Sequence, residues 1–281
     1  MNRISNNLPQ ILESLYHTYN RREYIASDPE EFIYEYPEPA DMETVGFIAC
    51  CFAYGRVAQF KKALRFVFEQ MGTSPAAFVH DFRQNQRKRF AGFKHRFNTE
   101  NDLCDMLTAL RHILREHGSI ESFFAGFYKE TDANIIPAMT GFCGEFARLR
   151  ERLCKSPADR GFGYLIPDPA KKSPCKRMNM YLRWMVRDDA VDPGLWKSIP
   201  ASKLIVPMDT HLARITGILG FHAAKTVNLK TAVEVTGEFA RICPEDPVKY
   251  DFCLSRIGIV EGCTGKPSEF CPKCGLNPFC G

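Results

Sequence analysis

Val206-Pro207-Met208-Asp209-Thr210-His211-Leu212-Ala213-Arg214 joins a loop to a helix, and Asp209 stands at the joint. An aspartate before an apolar-periodic run is an N-cap, its carboxylate accepting the free amide hydrogens of the first turn. Those amides and the positive end of the helix dipole keep the carboxylate ionised. A fixed anion of this kind can stabilise positive charge developing on a sugar as a base departs, so capping and chemistry are compatible roles for one residue. Beyond Asp209 the spacing predicts three helical stretches, 210–219, 229–242 and 247–262.

Upstream, almost every segment keeps the helical period. Ile4, Leu8, Ile11, Leu12, Leu15, Tyr16 and Tyr19 form one apolar stripe. Asp28-Pro29-Glu30-Glu31 reads as a helix start, with a capping carboxylate, proline at the first position and acids facing the dipole. Asp41 is expected to cap a helix running through Tyr54, and Val57 to Met71 form the next, ended by Gly72. Thr99 opens a helix that Gly118 closes, and Ile135 to Leu153 continue the pattern. From Lys155 to Pro174, Pro157, Pro167, Pro169, Gly161 and Gly163 interrupt it, which marks a loop. A helix restarts near Cys175 with Met178, Tyr181, Leu182 and Met185, and Asp192-Pro193 caps a short turn around Trp196. Strand signals are negligible, so the expected class is all-α.

The longest apolar run, Val45 to Tyr54, is far short of the roughly 18 residues a membrane helix needs. The first residues do not read as a signal peptide, and the chain is expected in the cytosol without a membrane partner, acting as a monomer. A net charge of +4 permits a polyanionic partner without requiring one.

In a cytosolic chain twelve cysteines argue for metal ligation rather than disulfides. Four of them, Cys263, Cys271, Cys274 and Cys280, stand within 18 residues among turn-forming Pro272, Gly275 and Pro278. The uneven spacing suits a [4Fe–4S] cluster; zinc, whose ribbons usually present two C-x2-C knuckles, is the alternative. The others, such as Cys50, Cys51, Cys143 and Cys253, lie on apolar stretches and read as small core residues.

Met208 to Ile215, Asn228 to Arg241, Tyr250-Asp251-Phe252-Cys253 and the terminal cysteines together resemble the C-terminal part of endonuclease III and its adenine-glycosylase relative. Both belong to the helix-hairpin-helix (HhH-GPD) glycosylase superfamily, and the likeness covers residues 173 to 281; the chain looks like an uncharacterised bacterial branch. The resemblance implies a catalytic Asp209 and a [4Fe–4S] cluster on the four cysteines. The family's first cysteine gap is one residue shorter than the seven-residue gap here. The resemblance also implies two helical lobes, a bundle over 41–195 containing a divergent hairpin and a second lobe from 1–40 with 196–281.

Lyase-active members carry a nucleophilic lysine opening the second hairpin helix, and Lys176 in Ser173-Pro174-Cys175-Lys176-Arg177-Met178-Asn179 matches it best. The first-turn dipole and adjacent Arg177 favour its neutral amine. The family's Gly-x-Gly turn is missing, its place taken by Lys171-Lys172-Ser173-Pro174, and 33 positions separate Lys176 from Asp209. Archaeal 8-oxoguanine glycosylases have a similarly long interval. The implied function is therefore excision of an oxidised base, 8-oxoguanine first, from double-stranded DNA through a lysine Schiff base with strand cleavage. A monofunctional glycosylase or an idle nucleic-acid binder is the alternative.

The stretch 83–97 is basic with aromatics between, so Arg87, Lys88 and Arg89 are expected on phosphate, along with Lys171, Lys172, Arg177 and Arg214. Trp184 is the candidate for stacking on an extruded base.

Overall fold

The computed structural model describes residues 7–26, 28–154, 160–171 and 173–280, with Arg160 described by its backbone alone. It is all-α. The helices are α1 (Leu8–Tyr19), α2 (Pro39–Phe52), α3 (Val57–Met71), α4 (Pro75–His80), α5 (Glu100–His117) and α6 (Ile120–Ala125). They continue with α7 (Ile136–Cys154), α8 (Arg160–Leu165), α9 (Lys176–Val186), α10 (Thr210–Ile218), α11 (Leu229–Ala240) and α12 (Asp251–Ile259). Among the described residues the only sheet is a hairpin of two-residue strands, β1 (Lys94–His95) and β2 (Asn98–Thr99). No helix is long and apolar enough to cross a membrane among those residues.

Two helices sit at the centre. In α2 every side chain from Val45 to Phe52 is buried, and in α9 every one from Met178 to Val186. They approach closely because Gly46 has no side chain; a Cβ there would lie 3.1 Å from Ile33 Cδ1 and from Met185 Cε. α1 buries Leu8, Leu12, Leu15 and Tyr19 against α12, as its apolar stripe requires, and Lys249 Nζ lies 2.7 Å from Glu13 Oε1 at its edge.

Three local expectations are corrected. Asp41 does not cap its own helix, which already begins at Pro39; its Oδ1 accepts from Ala76 N at 2.7 Å and Ser74 Oγ at 3.1 Å, and so holds the start of α4. Pro29–Glu35 is a 3-10 helix rather than an α-helix, although Asp28 caps it by accepting from Glu30 N. Asp192 is fully buried and salt-bridged, and the stretch around Trp196 is irregular; the Trp196 indole donates to Glu43 Oε1 at 2.8 Å.

Buried charge ties the core to both ends of the chain. Arg183 on α9 reaches Asp192 Oδ1 at 3.0 Å, Asp251 Oδ2 at 2.6 Å and Glu30 Oε2 at 3.1 Å. Arg187 pairs with Asp189 at 2.8 Å and Asp246 at 2.9 Å, and also with Asp192, while Arg256 holds Asp28 at 3.2 Å. Carboxylates outnumber the arginines in this cluster. Burial pushes the Asp251 carboxyl up to about 6 against the pull of Arg183, and burial with Asp192 raises Glu30 well above the usual range.

The folded chain therefore keeps a proton on Asp251 that an unfolded chain, with an ordinary aspartate near 3.9, has released. Between about pH 4 and about pH 6 the folded state binds more protons, so stability falls as pH rises, and above that window the whole cost is present. Relative to Asp251→Asn, the wild type is expected to lose about 3 kcal/mol across the window. Urea titrations at both ends of the window check this; a difference that stays constant contradicts it.

Candidate functional site: a lysine–aspartate pair in a cleft

Asp209 is the N-cap of α10, and one of its oxygens is taken up by the cap, Oδ1 accepting from Leu212 N at 2.7 Å. The other, Oδ2, faces the Lys176 amine at 3.9 Å. Lys176 is the first residue of α9, and the chain turns into that helix through Cys175, whose φ of 46° is in the left-handed region. A non-glycine residue held there is uncommon.

The pair lies in a cleft of about 980 Å³, whose walls include Lys176, Met180, Asp209, His211, Lys225 and Arg256. The Lys176 side chain is 41% exposed and that of Asp209 15% exposed. An ion pair this open contributes at most about 1 kcal/mol to stability. Its separation is too long for a direct hydrogen bond, so both groups retain capacity for a third partner.

α10 is fixed on two sides. His211 packs against α12 at Gly258, where a Cβ would lie 2.6 Å from His211 Cγ, so any larger residue collides with the ring. Arg214 donates to Cys263 O at 2.7 Å, which ties the helix carrying Asp209 to the cysteine loop. That loop in turn docks on α1: Leu276 is buried, and Gly275 sits within contact distance of Ile11.

The terminal thiols are near enough to influence one another's charge. Burial raises Cys274, and Cys263, Cys280 and Cys271 raise it further; burial, then Cys263 and Cys271, raise Cys280. Cys271 goes the other way, because Ser268 directs its hydroxyl and its backbone amide at the sulfur, the latter at 3.2 Å. Amide and hydroxyl donors on sulfur are what a thiolate ligand needs. The described residues contain no group of three or more histidine, cysteine or acidic side chains set to hold a single ion. Four cysteine sulfurs in one loop are nonetheless the donor type that a [4Fe–4S] cluster takes.

The remaining sequence candidates divide. Trp184 is fully buried, so its expected stacking on an extruded base is corrected: α9 is enclosed on nearly every side and turns the indole inward. Arg177 is not directed at solvent; it donates to Cys51 O and Tyr164 O and lies over the Tyr54 and Tyr164 rings, 5.1 Å from each centroid. Arg87 is drawn inward to Asp105 at 3.0 Å, Arg89 donates to Gln70 O at 3.0 Å, and Arg214 serves the cysteine loop. Lys88 and Lys171 are exposed, and Lys171 shares a hollow with Lys176. Lys172 lies outside the described residues. Sequence reasoning missed Lys225 and Arg256 in the cleft wall, because each stands far from Lys176 in the chain with no motif around it.

A family model described as "Protein of unknown function (DUF2400)" matches residues 28–260. No curated protein and no solved structure matches. This match overturns the resemblance to the HhH-GPD glycosylases: the family that spans the chain carries no assigned activity, and nothing indicates membership of that superfamily. The likeness rested on the N-capped start at Met208–Ile215, the stretches Asn228–Arg241 and Tyr250–Cys253 and a cysteine spacing; an N-capped helix start is common to many folds, and the hairpin glycines were already missing. The four terminal cysteines lie beyond the matched residues.

Proposed function

We propose, for a chain that belongs to the DUF2400 family, that the cleft excises a damaged base from double-stranded DNA and cleaves the strand through a Schiff base on Lys176. The observation that carries this reading is the meeting of Lys176 Nζ and Asp209 Oδ2 at 3.9 Å, with the other aspartate oxygen locked by its helix. An amine beside a fixed carboxylate, open to solvent, is the equipment for attack on an electrophilic sugar carbon.

The amine attacks C1′ of a nucleotide turned out of the duplex, since stacking otherwise shields that carbon. The bond from C1′ to the base breaks, and the base leaves with the bonding pair. Asp209 stabilises the positive charge that builds on the sugar and takes a proton from the attacking nitrogen. The C1′–O4′ bond then breaks, O4′ taking the proton held by Asp209, and leaves an iminium on Lys176. Loss of a C2′ proton then expels the 3′ phosphate, and water hydrolyses the imine to free the lysine. On an abasic site the amine adds directly to the aldehyde and water is lost. In this reading Lys225 and the exposed Lys171, which line the cleft and the adjoining hollow, hold phosphates at the rim.

The four cysteines would hold a [4Fe–4S] cluster, which when bound supplies a rigid closure for the terminal loop. Through the bond from Arg214 to Cys263 O that closure would brace α10. Anaerobically purified protein is expected to contain iron, about four atoms per chain, with the visible absorbance of such a cluster. Cys274→Ser loses both, and zinc in place of iron contradicts this part. The catalytic reading is tested by incubating duplex DNA with one abasic site. Wild-type protein nicks it, Lys176→Ala does not, and an oligonucleotide panel with one lesion each then identifies the base.

A further inference from the structure

We infer a second nucleic-acid contact beside the cleft, built on α3 and the β1–β2 hairpin, that takes a single-stranded DNA segment flanking the duplex engaged by the cleft. It rests on the glycosylase–lyase reading of the cleft and says where the polymer runs. Between α3 and residues 91–96 lies a hollow of about 590 Å³. Its floor is a stacked pair, Phe66 and Phe93, with centroids 6.1 Å apart and planes 21° from parallel. Of its ten lining residues Lys62, Lys94 and Arg96 are cationic and none is acidic. All three are exposed. Glu100, the acid nearest this segment in the chain, accepts from Gly92 N at 2.6 Å.

Arg96 links the hollow to the cleft. Its backbone is left-handed, with φ of 52°, and its stem crosses Gly55, where a Cβ would stand 2.8 Å from Arg96 Cδ. Gly55 itself lines the cleft. The Arg96 guanidinium lies 5.5 Å from the Phe97 ring centroid. Phe97, 49% exposed, meets Tyr164, 42% exposed, with centroids 5.4 Å apart. Tyr164 shares a further hollow with Lys176. A cationic hollow, a half-exposed ring pair already flanked by Arg96 and Arg177, and the cleft thus lie along one face.

Exposed rings flanked by cations are suited to bases on the rings and phosphates on the cations. Bases in a duplex already stack on one another, so the exposed surface of these rings fits unstacked bases. The basic-aromatic stretch of the sequence therefore acts through residues 94–97 rather than 87–89.

The test uses the full chain and a fluorescent oligothymidylate. Lys62→Gln/Lys94→Gln/Arg96→Gln is expected to weaken binding about tenfold and to lower the dependence of log K on log salt by about 2, near 0.7 for each lost phosphate. Phe97→Ala/Tyr164→Ala is expected to weaken it about five- to fifty-fold with the salt dependence unchanged. Lys62→Gln alone, on the solvent face of α3, lowers the slope by about 0.7 and serves should the combined variants fold poorly. Affinity and slope equal to wild type in Lys62→Gln and in the triple variant overturn the inference, as does wild-type protein that binds no single strand. A lowered slope together with no reaction at Lys176 leaves this surface standing and removes the lyase reading.

Discussion

Arg183→Ala is expected to lower stability by about 3–5 kcal/mol. The guanidinium is buried and serves Glu30, Asp192 and Asp251 together, carboxylates drawn from segments far apart in the chain. Alanine leaves all three buried without their shared counter-charge. Arg187 reaches Asp192 but is already engaged with Asp189 and Asp246. Protonation relieves part of this cost, so the loss is expected to be smaller near pH 4 than near pH 7. Against a total stability of about 5–15 kcal/mol for an ordinary protein, the change is large. Urea denaturation of the two proteins measures it, and a loss below about 1 kcal/mol would show that the network contributes little.

Asp209→Asn is expected to slow base excision by about 100- to 1000-fold while leaving the fold intact. Asparagine caps a helix about as well as aspartate, so the bond to Leu212 N and the start of α10 survive. Only the negative charge facing Lys176 is removed. A single-turnover assay on the lesion found in the panel reads the rate, and a thermal melt reads the fold. Unchanged excision would remove Asp209 from the chemistry; equal losses in rate and stability would make it a cap alone.

Much of the helical frame was legible because its signals are local. The periods of α1, α3, α5 and α7, the stop glycines at 72 and 118 and the capping of α10 all follow from residues within a turn or two of one another. Asp41 shows where such reasoning stops: it has the look of a cap, but the amide it satisfies belongs to Ala76, which only the packing of α4 against α2 brings near. Trp184 fails for the same reason, since nothing local reveals that α9 is enclosed on nearly every side. The Arg183 cluster was invisible, because Glu30, Asp192 and Asp251 share no spacing. The pairing of Lys176 with Asp209 across 33 positions was read from a family likeness that the family match does not support; the two atoms nonetheless lie 3.9 Å apart.

The central claim is that Lys176 becomes covalently joined to the sugar of a damaged nucleotide. Borohydride reduces an imine to a stable amine, so adding it during reaction with an abasic-site duplex should lock protein to DNA. Peptide mapping is expected to place the adduct on Lys176, and Lys176→Ala should give none while keeping its stability within about 1 kcal/mol of wild type, because the exposed ion pair contributes so little. An adduct undiminished in Lys176→Ala, or none with wild-type protein on any abasic or lesion-bearing duplex, would contradict the account.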